Sequence, residues 1–143
     1  MGAIRTVVDQ VTDAILSIGG SPLALSPAAV LPQNTPNTRA ENVFSVTLQT
    51  ANTDKFRDRS GGTMRIGHDL TVSILSRIKP NDQQDAYLDA IDLEEKVIIA
   101  VIRQSALPRE RTLYESTRRT LAPSGEYVMI EINFDIEQSI KVG

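Results

Sequence analysis

The chain contains no cysteine, no tryptophan and one histidine, and aromatic residues make up 4% of it. Without cysteine, disulfide bonds, thiolate metal sites and cysteine nucleophiles are all excluded. With His68 as its one histidine, the chain cannot form a zinc site from two or three of its own imidazoles. The N-terminus lacks the apolar run of a signal peptide. No segment approaches the roughly 20 apolar residues that cross a bilayer, so we expect no contact with a membrane.

The composition is that of an ordinary globular protein. Apolar residues make up 41% of the 143 residues and charged residues 23%, which argues against global disorder. A net charge of −3 argues against a protein whose main task is to grip nucleic acid. We expect a single intracellular domain over residues 1–143 that is large enough to bury a core.

Apolar residues at helical spacing predict two helices. The first covers residues 3–18 and ends at Gly19-Gly20. The second follows Pro80, where Asn81 and Gln84 have the spacing of a capping box, and it continues to about Gln104.

Strict alternation of apolar and polar residues predicts strands over 42–50, 64–74 and 127–136. The turn signal Pro123-Ser124-Gly125 makes residues 116–122 the other arm of a second hairpin. The predicted order is therefore α, β, β, α, β, β. This order favours an α+β fold, an antiparallel sheet of two hairpins with two helices packed on one face.

Two connections are longer than the strands and helices require. The first is a proline-rich loop over residues 19–42, and the second is a charged hairpin loop over residues 51–62. A connection of more than about 15 residues without regular structure is usually functional or disordered. We therefore expect both loops to make contacts with partners.

Candidate sites for chemistry are few. His68 lies between Ile66 and Leu70 on the apolar side of its strand, so we expect a buried, hydrogen-bonded structural histidine. Four aspartates lie along the second helix at spacings of three, four and three. Such a stripe could hold a divalent cation or remain a solvated face. These residues, the acidic stripe, are Asp82, Asp85, Asp89 and Asp92.

Charge is segregated along the chain. Between Asp82 and Glu95 there are acidic residues and no basic ones, whereas the flanking blocks 54–79 and 96–119 are predominantly basic. Alternating blocks of this kind suit head-to-tail self-association, in which the acidic face of one subunit meets the basic face of the next. A mosaic surface without a partner is the alternative.

These segments together resemble the tail terminator proteins of long-tailed bacteriophages. The resemblance rests on an amphipathic first helix, a proline-rich excursion, a strand reading MRIGHDLTVSIL, the acidic helix DAYLDAIDLEEKVIIAVI and the closing piece STRRTLAPSGEYVMIEINFDI. It covers nearly the whole chain. Members of this family are small α+β subunits that cap the tail tube as a hexameric ring.

The resemblance implies a structural protein of the virion, located in the tail or neck and assembled in the host cytoplasm. It implies no enzymatic activity, no cofactor and no metal. The expected partners are other copies of the chain, the tail tube protein and a head-completion or stopper protein. DNA would pass through the lumen of the ring without specific binding.

Ten residues are the predicted contacts with neighbouring subunits or the tube. They come from the charged loop, the acidic stripe and the basic segment before the last turn. They are Lys55, Phe56, Arg57, Arg59, Asp82, Asp85, Asp89, Asp92, Arg118 and Arg119. In this interpretation, the acidic stripe of one subunit pairs with Arg118 and Arg119 of a neighbour.

Three alternatives remain open from the sequence. A head-completion or stopper subunit of the neck has a similar size and would also form a ring. A monomeric adaptor could bind an acidic or extended peptide at its sheet edge. An enzyme could bind Mg²⁺ on the acidic helix, and would then melt at a higher temperature when the cation is present.

Overall fold

The computed structural model describes residues 2–18, 24–25, 42–53, 63–78, 81, 83–103, 109–121 and 126–141. Its elements, in chain order, are α1 (Ala3–Leu16), β1 (Ala24–Leu25), β2 (Asn42–Thr53), β3 (Thr63–Arg77), α2 (Gln83–Arg103), β4 (Arg109–Leu121) and β5 (Tyr127–Lys141). Four long strands form an antiparallel sheet that accompanies two helices, which confirms the predicted α+β class. Neither helix combines the length and the apolar content that would let it span a membrane.

Within the described residues the sheet has five strands in the order β1-β2-β3-β5-β4. β2 pairs with β3, β3 with β5, and β5 with β4, each pair antiparallel. The two-residue strand β1 pairs in parallel with Val43 and Phe44 of β2. The sequence did not predict β1, which lies inside the proline-rich segment 19–42.

The core lies on one face of the sheet, called here the core face. Every second residue of β5 from Val128 to Ile136 has no exposed surface, and these side chains share one cluster with buried residues of α1 and α2. The helices add Val7, Val11, Ile15, Ala90, Leu93, Val97 and Val101 to this cluster. On the opposite face, a second cluster contains Val43 and Leu75, with Tyr127 and Met129 packed against them.

All four long strands are longer than the alternation predicted. β3 covers Thr63–Arg77 rather than 64–74, β2 continues to Thr53 and β5 to Lys141. β3 pairs with every residue of β5 and with every residue of β2 except Gln49, which lies at a register shift. β4 begins at Arg109 rather than at residue 116. Its first half reads RERTLYE, in which apolar and polar residues do not alternate, so its side-chain pattern contains no strand signal.

The prediction for His68 is confirmed. Its side chain is 2% exposed, and its Nε2 lies 2.6 Å from Oε1 of the fully buried Gln138. Because a carbonyl oxygen can only accept a hydrogen bond, Nε2 is the donor. His68 Nδ1 and Gln138 Nε2 are then buried without a hydrogen-bond partner, so each of the two residues retains one uncompensated polar atom.

This pair predicts strongly non-additive substitutions. Gln138→Met alone leaves the buried His68 N–H without an acceptor and should lower the free energy of unfolding by about 1–3 kcal/mol. Adding His68→Leu removes the stranded donor and the existing unpaired atoms, so the double variant should be more stable than Gln138→Met. Urea unfolding of the single and double variants measures the coupling. Additive losses would contradict the assignment.

Candidate subunit interface

The described part of the acidic stripe is exposed on α2. Asp85, Asp89 and Asp92 are all exposed, at the spacing of one helical face, and Asp82 lies outside the described residues. Leu88, which lies on the same face by helical spacing, is 49% exposed. This surface therefore combines several negative charges with an apolar side chain.

The structure leaves the predicted loop contacts untested. Lys55, Phe56, Arg57 and Arg59 lie outside the described residues, as does most of the proline-rich segment.

Within the described residues β4 is an edge strand, and the core cluster includes none of its side chains from Arg111 to Leu121. None of its side chains between Arg111 and Leu121 is buried, and Leu113, Tyr114 and Leu121 are between 42% and 57% exposed. Tyr114 makes an edge-on contact with the buried ring of Phe134, with 6.2 Å between the ring centroids. The attachment of β4 therefore depends on its backbone ladder with β5 and on a few polar contacts.

Arg118 and Arg119 point to opposite faces of the sheet. Arg119 is paired in register with Ile130, whose side chain lies in the core, so Arg119 is on the core face. Arg118 is paired with Glu131, on the opposite face. The two arginines that the sequence grouped together therefore lie on different faces of the sheet.

Arg119 is engaged within its own chain. It donates from Nε to Glu94 Oε1 at 2.6 Å and from Nη2 to Oε2 at 2.7 Å. The Glu94 side chain is 6% exposed and that of Arg119 43%. The hydrogen bond to Glu94 raises the pKa of Arg119 above its ordinary value, so the guanidinium remains charged.

Glu94 is not among the contact residues predicted from the sequence, although its spacing along α2 indicates that it is buried. Ala90, Glu94, Val97 and Val101 follow one another at spacings of four, three and four, and all are buried. A carboxylate in phase with buried apolar residues must find a cation, since an unpaired buried charge is costly. The spacing therefore indicates a salt bridge, but it does not identify Arg119 as the partner.

The opposite face of the sheet is mainly polar. Thr71 Oγ1 donates to Asn133 Oδ1 at 2.7 Å, and Asn133 Nδ2 donates to Ser116 Oγ at 3.2 Å, which links three neighbouring strands. Arg118 lies on this face, two register pairs from the row that contains Leu75 and Met129. Basic and apolar groups thus lie side by side here.

Three carboxylates approach one another on the same face. Asp69, Glu115 and Asp135 each place a ligand oxygen within 4.8 Å of the others, and Asp69 is directly opposite Asp135. Like charges at directly opposite positions destabilise a sheet. Exposed acidic groups are common without a metal, and the geometry alone does not identify a cation site.

No protein-family model matches the chain, and no curated protein matches it in sequence. Among solved structures, a chain from the virion of a native gene transfer agent particle is similar in fold, with a TM-score of 0.50. The two chains are 12% identical, and the match covers 96% of this chain and 95% of the other. At 12% identity, the match shows a similarity in fold.

The buried position of Glu94 predicts a local contribution to stability. Glu94→Gln weakens two charge-assisted hydrogen bonds to Arg119, and because Arg119 is partly hydrated, the loss should be about 1–2 kcal/mol. The neighbouring Glu95 is exposed, so Glu95→Gln is a matched control and should change stability by about 0.5 kcal/mol or less. Urea unfolding measures both variants. Equal effects would contradict a structural role for the pair.

Proposed function

We propose that this protein is a structural, non-catalytic subunit of a phage-like virion. In this proposal it caps the tail tube as a hexameric ring, ends polymerisation of the tube and forms part of the head–tail joint. Its partners are further copies of itself, the tail tube protein and a stopper protein. It belongs to the tail or neck and assembles in the host cytoplasm.

The observation that carries the proposal is the whole-chain likeness to a virion protein. The match extends over nearly the full length of both chains, so it concerns the complete subunit rather than one shared motif. Because a fold by itself does not determine function, the proposal also needs surfaces suited to assembly.

Two surfaces of the subunit contain groups of opposite charge, although the opposite face of the sheet also contains the carboxylates of Asp69, Glu115 and Asp135. The α2 surface contains Asp85, Asp89 and Leu88, whereas the opposite face of the sheet contains Arg118 beside an apolar cluster. We propose that the pair β2 and β3 and the pair β4 and β5 form one body, in which both helices pack on one face of the sheet. In that body the two surfaces point away from each other, so they can meet only between copies. A repeated contact of this kind is heterologous, and it closes into a ring when its rotation permits.

A ring of this kind would stop growth by a simple geometric means. One side would match the symmetry of the tube, while the other would offer the next tube subunit no strand or loop on which to dock. A chain with a net charge of −3 suits a lumen that lets DNA slide, since tight phosphate binding depends on clustered basic residues.

The state of association tests the proposal first. Sedimentation over a wide concentration range, with negative-stain images, should give closed rings of about six subunits, in keeping with cyclic symmetry. Rings that bind the end of purified tail tubes and halt their growth would support a terminator. Rings that bind only the neck would indicate the stopper alternative. A strict monomer that also fails to cap tubes would contradict the proposal and favour the adaptor.

A charge swap tests the proposed contact. Arg118→Glu should weaken the ring by introducing repulsion with the acidic stripe, and it leaves the Glu94–Arg119 pair intact. Adding Asp85→Arg with Asp89→Arg should restore part of the association, by about 1–3 kcal/mol per contact for well-placed charges. Sedimentation of each variant gives the association constant.

The matched control is Arg5→Glu. Arg5 is an exposed cation on α1 whose side chain is 74% exposed. It lies outside the proposed contact, so its reversal should leave the ring unchanged. If the swapped variant shows no restoration, the pairing is wrong even if rings persist.

A further inference from the structure

The ladder between β4 and β5 contains an irregularity beside the two arginines. The pairs from Arg111 with Glu137 to Tyr114 with Phe134 follow one register, and the pairs from Ser116 with Asn133 onward follow another, displaced by one residue. Glu115 is the extra residue of this bulge. In contrast, the fifteen pairs between β3 and β5 contain no such displacement.

The bulge decides which arginine faces Glu94. If the first register continued without it, Ser116 would lie opposite Ile132 and Thr117 opposite Glu131. Arg118 would then lie opposite Ile130, in the place that Arg119 now occupies, and Arg119 would move to the opposite face. Since successive residues of a strand alternate between its faces, one residue of displacement exchanges the two arginines.

We propose that the second half of β4 has two registers on β5, in which Glu94 pairs with Arg119 when Glu115 is bulged and with Arg118 when the bulge is absorbed. Glu94 is then the residue that restricts β4 to these two registers. Any other displacement would place an uncharged residue beside its buried carboxylate, which is costly.

The burial pattern allows the second register. No described side chain of β4 is buried, so a displacement by one residue sacrifices no core packing. Register is weakly specified in strands that are polar on both faces. Absorbing the bulge would return Glu115 to the backbone ladder, while it would break the hydrogen bonds from Asn133 to Ser116 and between Tyr114 and Thr117. A change of register therefore replaces some hydrogen bonds of β4 with others.

The absence of cysteine permits a direct test by disulfide trapping within one chain. Ser116→Cys with Asn133→Cys places two thiols at directly opposite positions of the bulged register. Thr117→Cys with Glu131→Cys places them opposite each other only in the bulge-free register, since in the bulged register these positions lie on different faces. Directly opposite Cα atoms about 4.5–5.5 Å apart permit a disulfide. Both pairs leave both arginines in place.

The register is then biased by removing one arginine at a time. Arg119→Thr should speed closure of the second pair by about tenfold or more, because Arg118 must now supply the partner of Glu94. Arg118→Thr should slow it. In a Glu94→Gln background, both effects should shrink. Mass spectrometry of trapped monomers measures the rates, and circular dichroism checks that each variant is folded.

Three results would overturn the proposal. One is closure of the second pair at the same rate with and without Arg119→Thr, and another is an acceleration that persists unchanged with Glu94→Gln. The third is loss of both disulfides in Arg119→Thr, which would mean that β4 detaches instead of shifting. The traps report on a single chain, so they can fail while rings form, and succeed while rings do not.

Discussion

The one-sided burial of β5 is the constraint on which the remaining surfaces depend. Its alternate side chains from Val128 to Ile136 are fully enclosed by the sheet and the two helices, and a displacement by one residue would expose all of them. β3 is fixed by the same core through fifteen consecutive pairs. The flanking β4 is not fixed in this way, because none of its side chains from Arg111 to Leu121 is buried.

Much of this architecture could be predicted from periodicity. The alternation in β5 and β3 and the helical spacing in α1 and α2 are strong because one face of each element is buried. β1 could not be predicted, since a two-residue strand has no period and its proline-rich surroundings argue against any strand. The first half of β4 was missed for a related reason: a strand without buried side chains carries no pattern of burial.

For the candidate site, the sequence predicts which residue types are present but not how they are arranged. The acidic stripe and the basic segment are visible in the sequence, and Asp85, Asp89, Asp92 and Arg118 are exposed as surface contacts require. The separation of Arg118 from Arg119 follows in part from strand alternation alone. Which of the two lies on the core face depends on the bulge at Glu115, which has no local signature, and on a buried glutamate 25 residues away. The spacing of that glutamate indicates a salt bridge but does not identify its partner.

A strand that is held by its backbone ladder, two salt bridges and a few side-chain contacts has consequences for how such a protein changes over generations. Apart from Tyr114 and Arg119, which contact buried residues, the side chains of β4 from Arg111 to Leu121 can be replaced without loss of a core contact. Its surface can therefore follow the surface of a partner while the fold is retained. The same freedom is absent from β3 and β5, where a change of volume is felt throughout the core.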